Sequence, residues 1–242
     1  MKKFLPAMLP AIKKCALFAT VDESDLEALL NCLGATTDVF EKNDFIFRVD
    51  DAAVSVGLVL SGGVHVLQED FWGNRAIVAR VESGDSFGEA FSCAGVEKLP
   101  VAVVAAERSE VLFLDYGRTA GVCSSVCPFH VGLIENMMRI LAEKNIALTQ
   151  KMEHLTRRTT REKLLSWLSE QARRAGSNSF EIPFNRQELA EYLSVDRSAM
   201  SAELSKMRKE NLLRCERSRF ELLRGCYTEK LSGSTERQQC SL

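Results

Sequence analysis

Two cysteines and a histidine stand close together before the longest apolar helical pattern of this 242-residue chain. Cys123, Cys127 and His130 have the spacing Cys-x3-Cys-x2-His. Thiolate and imidazole ligands suit zinc or iron. Neither a Cys-x2-Cys pair nor a fourth ligand stands nearby. We therefore predict that the two cysteines are small buried hydrophobic residues and that no metal is bound, with a metal or redox-thiol site as the alternative.

Patterns typical of catalysis are missing from the sequence. It has no glycine-rich phosphate loop, no nucleophile–base pair and no pair of carboxylates spaced for acid–base chemistry. Its three histidines are too few for the clustered ligands of a jelly-roll metal enzyme. We predict no enzymatic activity and can name no cofactor. A jelly-roll enzyme with an accessory helical domain is the alternative, and it would show turnover and no salt-dependent binding to DNA.

A helix-turn-helix pattern runs from Asn185 to Leu213. Asn185 and Glu188 have the spacing of a capping box, and Asp196 can cap a second helix after a turn of about three residues. In a helix-turn-helix the first turns of the second helix enter the major groove of DNA. Here those turns carry polar side chains, namely Asp196, Arg197, Ser198 and Ser201. The alternative is a helical hairpin in some other core.

Charge is divided unevenly along the chain, although the net charge is only -2. Residues 151–242 hold 18 Lys and Arg against 13 Asp and Glu, which gives +5. Residues 1–150 hold 13 against 20, which gives -7. A basic second half indicates contact with a polyanion, although a charge imbalance can also belong to a solvated face.

Targeting signals are not evident. No apolar run reaches the roughly 18 residues that span a bilayer. Two prolines and a lysine pair interrupt the apolar stretch at the N-terminus, which does not suit a signal peptide. We therefore predict a cytoplasmic protein without membrane contact. The cysteines are scattered, so no disulfide framework is expected.

The elements that would position the polar residues follow in order along the chain. Residues up to 33 favour helices, and residues 36–115 favour short strands separated by turns, as in an antiparallel sandwich or barrel. A helix of about 28 residues should follow Pro128, and another should run from Thr159 to Ala175. Two short strands with a basic turn follow the helix-turn-helix and suggest a wing. The fold class is α+β, with a β-roll at 1–126, a dimerisation helix at 127–156, a winged helix-turn-helix at 157–224 and a mobile tail at 225–242.

The long helix has apolar positions on two faces. Leu133, Met137, Ile140 and Ala147 can face one neighbour, and Ile134, Leu141, Leu148 and Leu155 hold near-heptad spacing toward another. A helix roughly 42 Å long extends beyond a β-roll of some 80 residues. We therefore predict that one face packs on the β-roll and the other on a second copy, with a helix buried inside a single domain as the alternative.

This order of parts resembles the Crp/Fnr family of bacterial transcription regulators, named for the cyclic-AMP receptor protein and the fumarate-nitrate-reduction regulator. The resemblance covers residues 15–224. Its motifs are LVLSGGVHVLQEDFWGNRAIVARVESGDSFGEA for the β-roll, PFHVGLIENMMRILAEKN for the dimer helix and RQELAEYLSVDRSAMSAEL for the helix-turn-helix. It implies a homodimer on a palindromic operator in double-stranded DNA, with RNA polymerase as a further partner and a ligand in the β-roll repositioning the two heads.

The resemblance also assigns DNA-binding residues. Arg186 and Gln187 match positions that contact backbone phosphates, and Arg197 matches an arginine that reads guanine. Ser198, Ser201 and Lys206 are expected to face DNA beside them. Ala202 stands where many members carry a second base-reading arginine, so the operator should depart from the family's commonest sequence.

The effector pocket departs further from the family pattern. Gly88-Glu89 matches the Gly-Glu whose carboxylate accepts a hydrogen bond from ribose, but Leu99 and Pro100 replace the arginine and small hydroxyl residue that hold the cyclic phosphate. Without a guanidinium, a buried phosphate would lose its charge partner. We therefore expect an effector other than cyclic AMP. The predicted pocket comprises Gly88, Glu89, Ala90, Leu99, Pro100, Met137 and Met138.

Cysteine-based sensing is the alternative to a pocket. The iron–sulfur members use an N-terminal cysteine cluster, and only Cys15 and Cys32 lie in that region here. An oxygen-sensing cluster is therefore not expected. A regulator that senses through thiols would instead lose its response on Cys123→Ser.

Overall fold

A computed structural model of the protein describes residues 8–53, 55–115 and 128–223. The chain forms two compact units, the first ending at Leu148 and the second beginning at Thr149. The division into four segments made from the sequence stays a prediction.

The first unit begins with short helices, as the sequence predicts. Helix α1 is Leu9–Lys14, a 3-10 turn follows at Ala16–Phe18, and α2 is Glu23–Cys32. Asp22 precedes α2 in extended conformation, and Gly34 follows it with φ +60°, where the absence of a β-carbon allows the chain to turn.

In the described residues between 36 and 115, eight strands follow and form two antiparallel sheets. They are β1 Thr36–Phe40, β2 Phe45–Phe47, β3 Ser55–Ser61, β4 Gly63–Glu69, β5 Arg75–Glu82, β6 Ser86–Phe87, β7 Ala102–Ala105 and β8 Ser109–Asp115. One sheet has the order β1-β8-β3-β6 and the other β2-β7-β4-β5. This is the predicted double-layered β-roll, and the layers enclose a core of Val59, Val64, Val81, Phe87, Val103 and Val111.

Two short elements of the β-roll were not predicted. Strand β6 pairs with β3 so that Phe87 lies opposite Gly57, and a β-carbon on Gly57 would come within 2.2 Å of the Phe87 ring. Helix α3, Glu89–Cys93, then starts after Gly88, whose φ is +83°. Elements of two and five residues are too short to produce a period in the sequence.

Helix α4, Pro128–Leu155, has the predicted length of 28 residues. Leu133, Met137 and Ile140 are buried against α1, α2, β3 and β8 in one apolar cluster. Ala147, predicted on the same face, is exposed, so that assignment was wrong. The same buried face also includes Asn136, whose Nδ2 donates to the Leu17 carbonyl oxygen at 3.1 Å.

The second unit is the predicted winged helix. Its elements are α5 Thr160–Ala175, β9 Ser179–Glu181, α6 Arg186–Leu193, α7 Arg197–Lys209, β10 Leu213–Glu216 and β11 Arg219–Leu222. The strands form an antiparallel sheet of order β10-β11-β9, in which β9 is a third strand beside the two of the wing. The core of this unit includes Leu164, Trp167, Leu168, Leu189, Met200, Leu204, Met207 and Phe220.

Among the helices of the described residues, none is long and apolar enough to cross a membrane.

Candidate nucleic-acid interface and ligand pocket

Side-chain caps fix the two helices of the helix-turn-helix. Asn185 Oδ1 accepts from the backbone N–H groups of Gln187 and Glu188 at 2.9 and 3.0 Å, and Glu188 Oε2 accepts from the N–H of Asn185 at 2.8 Å. Ser194 then reverses the chain with φ +50°. Asp196 Oδ1 caps α7 by accepting from the N–H of Ala199 at 2.8 Å. The orphan N–H groups at both helix starts are therefore partly satisfied within the motif.

Helix α7 is amphipathic across the motif. Met200, Leu204 and Met207 are buried on one face. The opposite face carries Arg197, Ser198, Ser201 and Lys206, all of them exposed. The arrangement leaves a row of donors on the face of α7 that does not pack against its own core.

The side chains of Asp196 and Ser198 are hydrogen-bonded to each other at the start of α7. The Ser198 hydroxyl donates to Asp196 Oδ1. The hydrogen bond from Ser198 and that from the Ala199 N–H lower the pKa of the Asp196 carboxyl, which stays charged. Asp196 thus serves as a helix cap. Arg197, in contrast, makes no side-chain hydrogen bond or ion pair within the described part of the chain.

Two basic residues of α5 form contacts with α6 and α7, and these contacts were not predicted from the sequence. Arg161 Nη1 lies 3.0 Å from Glu203 Oε1 and 3.2 Å from Glu210 Oε1, both of them on or just after α7. Lys163 Nζ donates to the carbonyl oxygens of Leu193 and Ser194 at 3.3 Å each. These contacts fix the orientation of α7 and cap the end of α6.

The start of α6 faces the turn of the wing. Arg186 is half-buried, with its Cζ 5.0 Å from the centre of the Phe220 ring. Its Nη1 is buried and has no hydrogen-bond partner in the residues described. A cleft of about 490 Å³ opens here, lined by Ile182, Pro183, Phe184, Asn185, Arg186, Arg217 and Ser218. Donors without an acceptor in such a cleft suit an anion.

The side chains of Gln187 and Lys206 are exposed, and each is held by a contact at the surface. Gln187 is exposed and donates from Nε2 to Glu191 Oε1 at 2.8 Å. Lys206 Nζ lies 3.7 Å from Glu203 Oε2, with its side chain 67% exposed. Both side chains can reach an external partner at small cost, because surface contacts of this kind contribute little.

The residues predicted to form an effector pocket are only partly brought together. Glu89 is buried at the start of α3, and Lys144 Nζ of α4 lies 2.5 Å from its Oε1. Leu99 and Met137 are also buried. Ala90, Pro100 and Met138 are exposed, and Met138 lies away from the face of α4 that contacts the strands.

Comparisons with known proteins follow the same division. Residues 37–125 match the model of the cyclic nucleotide-binding domain. Residues 162–225 match that of the Crp-like helix-turn-helix domain. The chain belongs to the Crp/Fnr family of bacterial transcription regulators.

Individual relatives within the family are distant. The nitrogen fixation regulation protein FixK of Azorhizobium caulinodans is 26% identical over 213 residues, covering 84% of this chain and 81% of FixK. The structure of FixK2 from Bradyrhizobium japonicum has a TM-score of 0.64 at 22% identity, covering 84% of this chain and 99% of that one. The c-di-GMP-responsive regulator CLP of Xanthomonas campestris has a TM-score of 0.71 at 18% identity, covering 84% and 100%. Both structures share the fold.

The alternative of a metal site at Cys123, Cys127 and His130 is not tested by the structure of this Crp/Fnr-family chain. Cys123, Cys127 and the side chain of His130 lie outside the described residues. Within the described residues no group of three metal-ligating side chains occurs. His65 is buried on β4, with Nε2 3.4 Å from Arg80 Nη1. Burial raises the pKa of the Cys15 thiol to about 11, so this cysteine stays protonated and unreactive at neutral pH.

Proposed function

We propose that this Crp/Fnr-family regulator is a homodimer that binds a palindromic DNA operator through α7, with Arg197 reading a base pair in each half-site. The observation that carries the proposal is the exposed guanidinium of Arg197 in the first turn of a helix whose opposite face is buried. A guanidinium can donate two hydrogen bonds to the O6 and N7 atoms of guanine. Ser198 and Ser201 would contact neighbouring positions, and Lys206 a phosphate.

Contacts to the DNA backbone are assigned to the start of α6 and to the wing. The buried Nη1 of Arg186 has no acceptor among the described residues, and Arg217 lines the same cleft. A phosphate oxygen would supply the missing acceptor, and the N–H groups at a helix start favour an anion. Gln187, exposed beside Arg186, would contact the same strand.

Dimerisation is supported by the face of α4 that lies beside the one packed on the strands. Val131, Ile134, Met138 and Leu148 are between 47% and 67% exposed. Together with Leu141 and Asn145 they repeat at alternating steps of three and four residues, the period of a two-stranded coiled coil. Asn145 takes a position where a polar residue fixes the register of the paired helices. An apolar stripe of this length needs a cover, and a second copy of α4 provides it.

The β-roll is proposed as the regulatory part, with no role for cyclic AMP. Leu99 is buried and apolar where the resembling nucleotide-binding proteins carry an arginine. A cyclic phosphate at this point would lack a positive partner. RNA polymerase would be the partner at the promoter, as in the family.

Selection of bound DNA from a random pool tests the proposal. We expect enrichment of a palindrome whose half-site centres are about 10–10.5 base pairs apart, or a multiple of that. Sedimentation of the full chain should give a dimer. Failure to enrich any palindrome, or a monomer with Arg197 still exposed, would contradict the proposed function.

A further inference from the structure

The half-buried side chain of Lys144 places its ammonium group at the buried carboxylate that the family resemblance assigns to the ligand pocket. Its Nζ is 2.5 Å from Glu89 Oε1 and donates to the carbonyl oxygen of Ser86. We propose that Lys144 is a built-in ligand of the β-roll, which locks α4 against α3 and keeps the protein in its DNA-binding form without any added effector. This inference rests on the proposed function.

Burial makes this ion pair different from the surface pairs of the chain. The Glu89 side chain is only 3% exposed. A carboxylate removed from water must have a cation close by, because an isolated buried charge is strongly unfavourable. Its second oxygen, Oε2, has no hydrogen-bond partner in the described residues, and neither has the nearby Ser86 hydroxyl oxygen. Lys144 is therefore the group that compensates the charge of Glu89.

The pair also joins α4 to the start of α3. Lys144 follows Met137 and Ile140 on the buried face of α4, at steps of three and four residues. Asn145 and Leu148 stand on the adjoining exposed face, and the half-buried Leu141 lies at its border with the core. A lock at Lys144 thus fixes the rotation of α4 about its axis, and with it the direction of the stripe that pairs with the second copy.

A ligand would find the charge of Glu89 already compensated at Oε1. A hydroxyl donor could still bond to Oε2, but it could not replace the cation, and an anion would meet the buried Leu99 and the carboxylate itself. A molecule that binds Glu89 through Oε1 must first displace the ammonium group. The pair therefore takes the place of an effector in setting the position of α4.

Operator binding by variants of the full chain tests this inference. We expect Lys144→Met and Glu89→Gln each to weaken affinity for the selected palindrome at least tenfold. The double variant should be no weaker than the weaker single variant, because two residues acting as one unit are not additive. Arg139→Met, at an exposed position of the same helix, should stay within twofold of the wild-type protein. Addition of cyclic AMP should leave the wild-type affinity unchanged.

The double variant keeps the test decisive if a single variant does not fold. It removes both charges, so no uncompensated charge remains buried. A folded double variant with wild-type affinity would overturn the inference, as would tighter binding by Lys144→Met, which would make the pair an inhibitor. If the wild-type protein enriches no palindrome at all, the proposed function fails instead, so the two failures are distinguishable.

Discussion

The guanidinium of Arg186 lies over the ring of Phe220, with its Cζ 5.0 Å from the ring centre. This contact joins the start of α6 to strand β11 of the wing. Arg186 and Arg217 line the same cleft, and a cation over an aromatic ring is held there by the negative face of the ring. A contact to phosphate carries no sequence information, whereas it adds to affinity at low salt.

Removal of this side chain should therefore weaken all DNA binding equally. We expect Arg186→Ala to lower affinity for the operator and for random DNA by the same factor, and to reduce the slope of log affinity against log salt by about 1. Titration at several salt concentrations measures both quantities. Lys42→Ala, an exposed substitution in the β-roll, is the control and should change neither. A loss confined to the operator would show that Arg186 reads sequence.

Arg197 should behave in the opposite way. Replacement by Lys keeps the charge but removes the two-pronged donor, so nonspecific affinity should persist. Discrimination at one base pair of each half-site should fall by about 1–3 kcal/mol. Competition between the operator and variants of it, one base pair at a time, locates the position. Unchanged preference at every position would exclude Arg197 from base recognition.

The exposed apolar stripe of α4 predicts that a carboxylate introduced within the stripe disrupts the dimer, whereas one introduced outside the stripe does not. Ile134→Glu places a carboxylate at an exposed position of the proposed seam and should shift the dimer toward monomer at micromolar concentration. Arg139→Glu adds the same side chain outside the seam and should leave the dimer intact. Sedimentation equilibrium compares the two. Equal behaviour of both variants would argue that another surface joins the copies.

Sequence patterns predicted the long elements well, because these carry many repeats of one period. The 28-residue helix and the capping boxes at Thr159 and Asn185 follow directly from local chemistry. The ion pair of Lys144 with Glu89 could not be predicted, since the residues are 55 positions apart and pair only after the β-roll and α4 have packed. The exposure of Ala147 shows the same limit, because an apolar side chain on a helix is buried only where a neighbour exists.

Residues that orient the recognition helix escaped the sequence for a related reason. Arg161 belongs to a helix whose charges look like an ordinary solvated face, and its partners Glu203 and Glu210 are more than 40 positions away. Only the predicted packing of three helices in the winged unit could have suggested a contact between them. The base-reading role proposed for Arg197, in contrast, was assigned by the family resemblance, and the structure shows this residue exposed directly after the helix cap.

His154 should make the stability of the second unit depend on pH. The side chain is buried, with Nδ1 2.8 Å from Ser166 Oγ, and burial lowers the pKa of its imidazole although Glu170 and Glu153 act in the opposite direction. Above about pH 6.5 the ring is neutral in both the folded and the unfolded chain. Below that pH the imidazole is protonated in the unfolded chain but, because its pKa is lowered, remains neutral in the folded chain. The free energy of unfolding should therefore fall.

Urea unfolding between pH 7 and pH 5 measures this effect. Fluorescence of the buried Trp167 reports on the winged unit when the exposed Trp72 is replaced by Phe. His154→Gln should lose less stability over this range than the parent chain. Equal losses in the two chains would mean that other groups govern the pH dependence.

The spacing of half-sites tests most directly the central claim that two winged heads are held at a fixed separation by paired helices. The measurement is the affinity of the full chain for its selected palindrome, with 5 or 10 base pairs inserted at the centre. We predict that 5 base pairs, half a helical turn, reduce affinity to that of an isolated half-site, because the second head then meets the opposite face of the duplex. Ten base pairs restore the face but not the distance, and should also bind weakly. Affinity that is unchanged by both insertions would contradict the account.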